Sequence, residues 1–198
     1  MVKIREAVPK DKKEFSELIL ISAPFFPALF GKEITRILQD LFSHPSNLFS
    51  FKHVHFAEIE GEKAGMILSY DWKTKKEENL KTGFLLITRL GIKTIFKLPV
   101  WMRFFSTVGQ LKEYEYYISN IAVYRDYRGK GIGRRLMLKA ENQAKVCDAK
   151  KMVLDVEKEN VNAINFYKKL HYKIINEFSI FIHKKEILHF YRMMKELF

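Results

Sequence analysis

Residues 116–137, YYISNIAVYRDYRGKGIGRRLM, combine three local preferences that few folds satisfy together. Tyr117, Ile118, Ile121, Ala122 and Val123 form a β-branched and aromatic run that reads as a strand. Arg125, Asp126 and Tyr127 then read as a turn. Leu136, Met137, Ala140, Ala144 and Cys147 recur at three- and four-residue spacing, which predicts a helix that starts near Gly133 and buries one stripe. Arg128-Gly129-Lys130-Gly131-Ile132-Gly133 therefore lies where a strand hands over to a helix. First-turn amides there have no intrahelical acceptor and the macrodipole is positive, so the turn suits an anionic oxygen such as that of a phosphate. Gly129, Gly131 and Gly133 let the backbone approach a ligand closely, and Arg128, Lys130, Arg134 and Arg135 add mobile positive charge. The same glycines would serve a bare left-handed turn equally well, and the loop alone leaves both readings open.

A second block lies downstream. Residues 154–172, LDVEKENVNAINFYKKLHY, read as a strand followed by a helix, with Asn160 as a cap and Ala163, Phe166, Tyr167 and Leu170 as an apolar stripe. Together the two blocks resemble the GNAT family of N-acetyltransferases. The first resembles that family's acetyl-CoA motif, Arg/Gln-x-x-Gly-x-Gly/Ala. The second is similar to its pattern Asn-x-x-Ala-x-x-aromatic-Tyr-x-Lys-x-Gly-Phe, met here by Asn160, Ala163, Phe166, Tyr167, Lys169, His171 and Tyr172. The blocks stand in the family's order and at its spacing. The departure is His171 in place of glycine, which must take the left-handed cap itself or end the helix differently.

The resemblance implies an α/β (α+β) fold of GNAT type: a three-layer sandwich with a mixed, mostly antiparallel sheet of about six or seven strands and helices on both faces. It implies acetyl-CoA as cosubstrate and no metal. The edge at Ile121, Ala122 and Val123 would receive the peptide-like pantetheine arm, and a splay or bulge near Asn120 would be functional. Arg128, Gly129, Lys130, Gly131, Ile132, Gly133 and Arg134 would hold the phosphates, with Asn160 and Tyr167 as further contacts. The implied reaction is acetyl transfer to a primary amine by direct attack on the thioester. Tyr167 would protonate the departing thiolate, and its place in the apolar stripe also suits a core aromatic. The resemblance also makes Asp155 the first candidate for the base, ahead of Glu115 and Glu113, because it matches a glutamate used as base in some N-terminal acetyltransferases of the family; its side chain is expected to face away from Leu154 and Val156. A solvated strand carboxylate is the competing account for all three. The acceptor is open between a protein or peptide N-terminus and a small amine. A non-catalytic acyl-CoA-binding module and a basic nucleic-acid-associated protein are the rival classes.

Size and charge set the wider limits. The chain of 198 residues, 47% hydrophobic, fits a single domain over 1–198. A net charge of +12 attracts anions without selecting one, since the lysines are interleaved with glutamates and no nucleic-acid motif of recognisable spacing appears. The single cysteine, Cys147, permits no internal disulfide and is expected in the core. The charged start and the lack of a long uncharged apolar run predict a cytoplasmic protein without a transmembrane segment. His53 and His55, two apart, have a spacing that suits a metal but no evident third ligand.

Outside the two blocks, a first strand (residues 2–6), a helix carrying Phe15, Leu18 and Ile19, and a second over residues 33–42 are expected, with the aromatic loop APFFPALFGK between the helices. Phe25, Phe26 and Phe30 in that loop suit a substrate pocket or a core. HVHFAEI and AGMILSY flank a hairpin turn at Glu60-Gly61, and residues 172–194 close the chain as a second hairpin. The family pattern does not explain residues 72–108, a basic amphipathic helical insertion. Leu80, Phe84, Ile87 and Gly91, then Ile92, Ile95 and Phe96, and after Pro99 Trp101, Met102 and Phe105, form its apolar face. Breaks are expected near Gly91 and Pro99. The insertion would pack on the domain, cover the acceptor site, lie on a membrane surface or meet a second copy in a homodimer.

Overall fold

The computed structural model describes residues 1–90, 98–183 and 186–197. Seven strands form one sheet: β1 (Val2–Glu6), β2 (Val54–Ile59), β3 (Glu62–Asp71), β4 (Glu115–Val123), β5 (Lys151–Glu157), β6 (Lys173–His183) and β7 (Glu186–Glu196). In space they run β1-β2-β3-β4-β5-β7-β6. Neighbours are antiparallel except β4 and β5, which are parallel because the glycine turn and its helix carry the chain back between them. The mixed, mostly antiparallel sheet matches the expected class.

Alternation along the strands gives the sheet two apolar faces, and each is covered by helices. One face receives α1 (Lys12–Ser22), the short α2 (Phe26–Phe30) and α3 (Ile34–Ser43). Phe15 of α1 stacks on Phe42 of α3 at 4.4 Å, and both belong to a core with Phe56, Leu68 and Tyr117 of the sheet. The other face receives α6 (Ile132–Val146) and α7 (Val161–Lys169). There Leu136, Met137, Ala140 and Ala144 are fully buried in one cluster with Tyr116, Ile118, Met152 and Leu154. Each large side chain buried in this way contributes about 1.5–3 kcal/mol.

Cys147 departs from the expectation. Helix α6 ends at Val146, so Cys147 is the residue that caps it and is exposed, not core. The apolar stripe ends at Ala144 because Asp148, with φ of 56°, turns the chain off the helix axis.

The insertion forms α4 (Trp72–Leu90) and α5 (Leu98–Thr107). Its expected break near Gly91, with Ile92, Lys93, Ile95, Phe96 and Lys97, lies outside the described residues. Pro99 stands in the first turn of α5, where its missing N–H costs nothing, so it does not end a helix. The face of α4 differs too: Leu80 and Phe84 are 83% and 68% exposed, while Thr82, Leu85 and Leu86 are buried. Thr82 turns inward because its hydroxyl accepts the Leu48 amide at 2.9 Å and donates to the Glu78 carbonyl at 2.8 Å. Trp101 of α5 is buried as well, its Nε1 donating to the Leu29 carbonyl at 2.9 Å. The insertion is therefore anchored to the α2–α3 side of the domain.

Candidate active site

The ladder between β4 and β5 runs from Glu115↔Lys151 to Ile118↔Leu154 and stops there. Just past that point Leu68 faces Asn120 and Ser69 faces Ile118, so Ser119 is an extra residue in β4 and makes a bulge. The Asn120 side chain, donating to Ser22 Oγ at 2.8 Å, ties this bend to α1. The consequence is a stretch from Asn120 to Val123 with no partner on its β5 side. The bulge lies beside Asn120, where the resemblance implied that one would be functional, and a cavity of about 690 Å³ opens between the two strand ends.

At one side of this cavity the glycine turn leads into α6. Gly129 and Gly131 have φ of +78° and +72°, and nothing lies within 4 Å of where a Cβ would stand on either. A side chain at Gly131 would be strained and would also enter the space in front of the first-turn amides of α6. Arg128 and Arg134 line the cavity with these glycines, whereas the Lys130 ammonium lies over the Tyr127 ring, 5.1 Å from its centroid. Asn160 caps α7 as expected, accepting the Ala163 amide at 3.1 Å. His171 does take the left-handed conformation, at φ of 70°. The Tyr172 amide then bonds to the Tyr167 carbonyl and the His171 amide to that of Lys168, each at 3.0 Å, which closes the helix as a glycine would.

This closure aims Tyr167 at the cavity. Its ring packs with Phe166 and Tyr172, and its hydroxyl makes no hydrogen bond among the described residues. Burial raises its pKa above the usual phenol value, so it is a proton donor at neutral pH.

Across the cavity, Asp155 projects from β5 toward the face of the sheet that bears α1–α5, as its alternation with Leu154 and Val156 predicted. Its carboxylate is fully engaged. Arg192 of β7 donates from Nε at 2.8 Å and Nη2 at 2.9 Å, the Tyr117 hydroxyl at 3.1 Å, and the Gly109 amide at 2.8 Å. Gly109 has φ of +67° and lies so close to the Tyr117 ring that a Cβ would stand 3.2 Å from it. Burial and the Asp155 charge push the Tyr117 phenol well up. The two alternative bases lie elsewhere, since Glu115 accepts the Lys112 amide, Glu113 is exposed, and neither lines the cavity. Glu157, not foreseen as a site residue, does line it, and burial raises its pKa, with the Glu159 charge adding to this.

The remaining wall is aromatic and comes from distant segments. Phe25 and Phe26 from the loop before α3 meet Phe104 of α5, and Phe25 meets Phe190 of β7 edge-on at 5.9 Å. Phe30 packs behind them against Trp101, so the aromatic loop serves both pocket and core. Lys75, in the first turn of α4, also lines the cavity, and burial lowers its pKa to about 8, with the Asp155 charge opposing this and Arg192 adding to it.

Of the residues expected to hold the cosubstrate or act on it, all line this cavity except Lys130, Arg135 and the alternative bases Glu113 and Glu115. Sequence reasoning missed Lys75, Phe104, Gly109, Tyr117 and Arg192 as site residues. Only Arg192 carried a signal, a lone charge at the inward position of an apolar strand between Phe190 and Met194. His53 and His55 part company: His53 bonds to Glu78 at 2.8 Å, while buried His55, its pKa lowered to about 4 by burial and then by Lys139, faces Gln143. Among the described residues no group of three or more such side chains is placed to hold a metal, and no helix is long and apolar enough to cross a membrane.

The chain matches the family model described as the acetyltransferase (GNAT) family over residues 15–172. A comparison with curated proteins gives no match. Among solved structures it is similar to an N-acetyltransferase from Staphylococcus aureus Mu50, with 20% identity, a TM-score of 0.70 and coverage of 98% of this chain and 100% of that one. It is similar to the ribosomal-protein-S18-alanine N-acetyltransferase from Escherichia coli, with 14% identity, a TM-score of 0.61 and coverage of 100% and 94%. A Bacillus subtilis acetyltransferase in complex with CoA matches with 16% identity, a TM-score of 0.56 and coverage of 100% and 98%. At these identities the likeness concerns the fold.

Proposed function

Because the chain belongs to the acetyltransferase (GNAT) family, we propose that it transfers the acetyl group of acetyl-CoA to a primary amine by direct attack of the amine on the thioester. The observation that carries this reading is that one cavity holds the glycine turn, the unpaired edge of β4 and the free hydroxyl of Tyr167. The residues fit the cosubstrate. The first-turn amides of α6, with Arg128 and Arg134, are placed for phosphates, and open space stands over Gly129 and Gly131. Ile121, Ala122 and Val123 offer main-chain groups to a peptide-like arm, as an added strand would be held. Acetyl-CoA supplies the activated acetyl group as a thioester.

In the transfer an N–C bond forms as the C–S bond breaks, the amine gives up one proton, and the sulfur receives one. Tyr167 is protonated and points into the cavity, so we assign it the proton delivered to the sulfur. Asp155, the first candidate for the base, already accepts four hydrogen bonds. We assign it the ordering of Tyr117 and Gly109, and the amine's proton passes to water in the open cavity. The acceptor is a small amine or a peptide N-terminus, and the cavity's aromatic side supports an apolar one.

The test is thiol release from acetyl-CoA over a panel of amines and short peptides. Tyr167→Phe is expected to lower kcat about 10²-fold while CoA affinity by calorimetry stays the same, the pattern of a group that acts after binding. Unchanged kcat in that variant removes Tyr167 from the chemistry. CoA binding without thiol release for any acceptor would make the chain an acyl-CoA-binding module.

A further inference from the structure

The insertion contributes one ammonium group to the cavity that the transfer chemistry does not use. Lys75 makes no hydrogen bond and no ion pair among the described residues, though it lines the cavity. The nearby negative charge does not explain it, because Asp155 is held by a two-pronged bond to Arg192. The placement is unfavourable on three counts. Lys75 sits in the first turn of α4, at the positive end of a 19-residue helix that Asp71 caps by accepting the Thr74 amide at 2.9 Å. It feels the Arg192 guanidinium as a like charge, and it is partly withdrawn from water. The cavity that it lines is also lined by Phe104, Phe190 and Tyr117, which offer no anion, and the cavity's two carboxylates, Asp155 and Glu157, form no ion pair with it among the described residues. An unmatched positive charge beside an aromatic wall is relieved by a ligand that brings a negative charge together with an apolar body.

We propose that the acceptor is a small amine carrying both an apolar or aromatic side group and a carboxylate, as in an apolar α-amino acid, with Lys75 binding the carboxylate and the phenylalanine wall taking the side group. Lys75 is thus a specificity-determining residue supplied by the insertion. A polyamine would bring only further positive charge to Lys75, and a peptide N-terminus would bring an amide where the ammonium needs an anion. The depressed pKa agrees with this, since a bound carboxylate restores what desolvation takes from the charged form. The proposal rests on the acetyltransferase reading above, and two kinds of measurement keep the two apart.

The first is turnover at pH 7, where Lys75 is charged, comparing L-phenylalanine with L-phenylalanine amide, each rate expressed per free amine. The wild type is expected to prefer the acid by about ten- to hundredfold in kcat/KM, the worth of a charge-assisted hydrogen bond. In Lys75→Gln the ratio should fall to about one, and in Lys75→Glu it should invert. The second is binding of 3-phenylpropanoate and of 3-phenylpropanamide to the CoA-loaded protein by calorimetry, which needs no turnover. The anion should bind at least about tenfold more tightly than the amide in the wild type, and equally in Lys75→Gln. Equal affinities in the wild type overturn the proposal even if acetyl transfer is active. If Lys75→Gln abolishes turnover of acid and amide alike but keeps the preference for the anion, Lys75 is a proton acceptor and the proposal falls. Unchanged CoA affinity in Lys75→Gln confirms that the variant is folded, and loss of CoA binding by the wild type would instead sink the acetyltransferase reading.

Discussion

The two sides of the cavity are built on opposite principles. The side proposed to hold the cosubstrate is local: the glycine turn with the start of α6, and Asn160 with α7, are each specified within about one helix of sequence. The acceptor side is assembled from afar. Phe25, Lys75, Phe104, Tyr117, Asp155 and Phe190 come from six separate elements or loops and meet only because the sheet and the insertion bring them together. The first side depends on backbone conformation, and the second on side chains that satisfy each other. Damage to the two should therefore look different.

The largest effect is expected on the acceptor side. Asp155→Ala leaves the partly buried Arg192 guanidinium without its partner and frees Tyr117 and Gly109, so it should cost about 3 kcal/mol of stability in denaturant unfolding. A loss below about 1 kcal/mol would mean that the cluster is not what holds that wall together. On the side proposed for the cosubstrate, Gly131→Glu should weaken CoA binding about hundredfold or more, because a strained residue would put a carboxylate in the space we assign to phosphate. Its stability should fall less than that of Asp155→Ala, and calorimetry with thermal unfolding measures both. The smallest effect belongs to the cap: Asn160→Ala removes the bond to the Ala163 amide and should cost about 1 kcal/mol. If it also lowers kcat without changing CoA affinity, the cap matters by fixing where α7 aims Tyr167.

The features readable in advance share a cause. The left-handed turn, the Asn160 cap and the outward turn of Asp155 from Leu154 and Val156 all follow from periodicity or from the conformational range of one residue type. Periodicity failed where a helix had two apolar options. In α4 the stripe Leu80, Phe84 and Ile87 is exposed, because Thr82 found hydrogen-bond partners on the facing segment and Leu85 and Leu86 followed it inward. Cys147 fell on the right spacing one residue past the end of its helix.

The resemblance carried by two short blocks implied the mixed sheet and the family, while the strand–turn–helix unit with its αL glycines and the second block with its cap could be read directly from the residues. Those depend on interactions between residues close along the chain, whose energies can be read from their spacing. The three-dimensional fold was needed to show that Asp155 is saturated by Arg192, Tyr117 and Gly109, that Trp101 anchors the insertion, and that Lys75 lines the cavity with no hydrogen bond or ion pair among the described residues. A charge shows its function only once its partners are known, and here those partners lie tens of residues away, joined by pairing across the sheet.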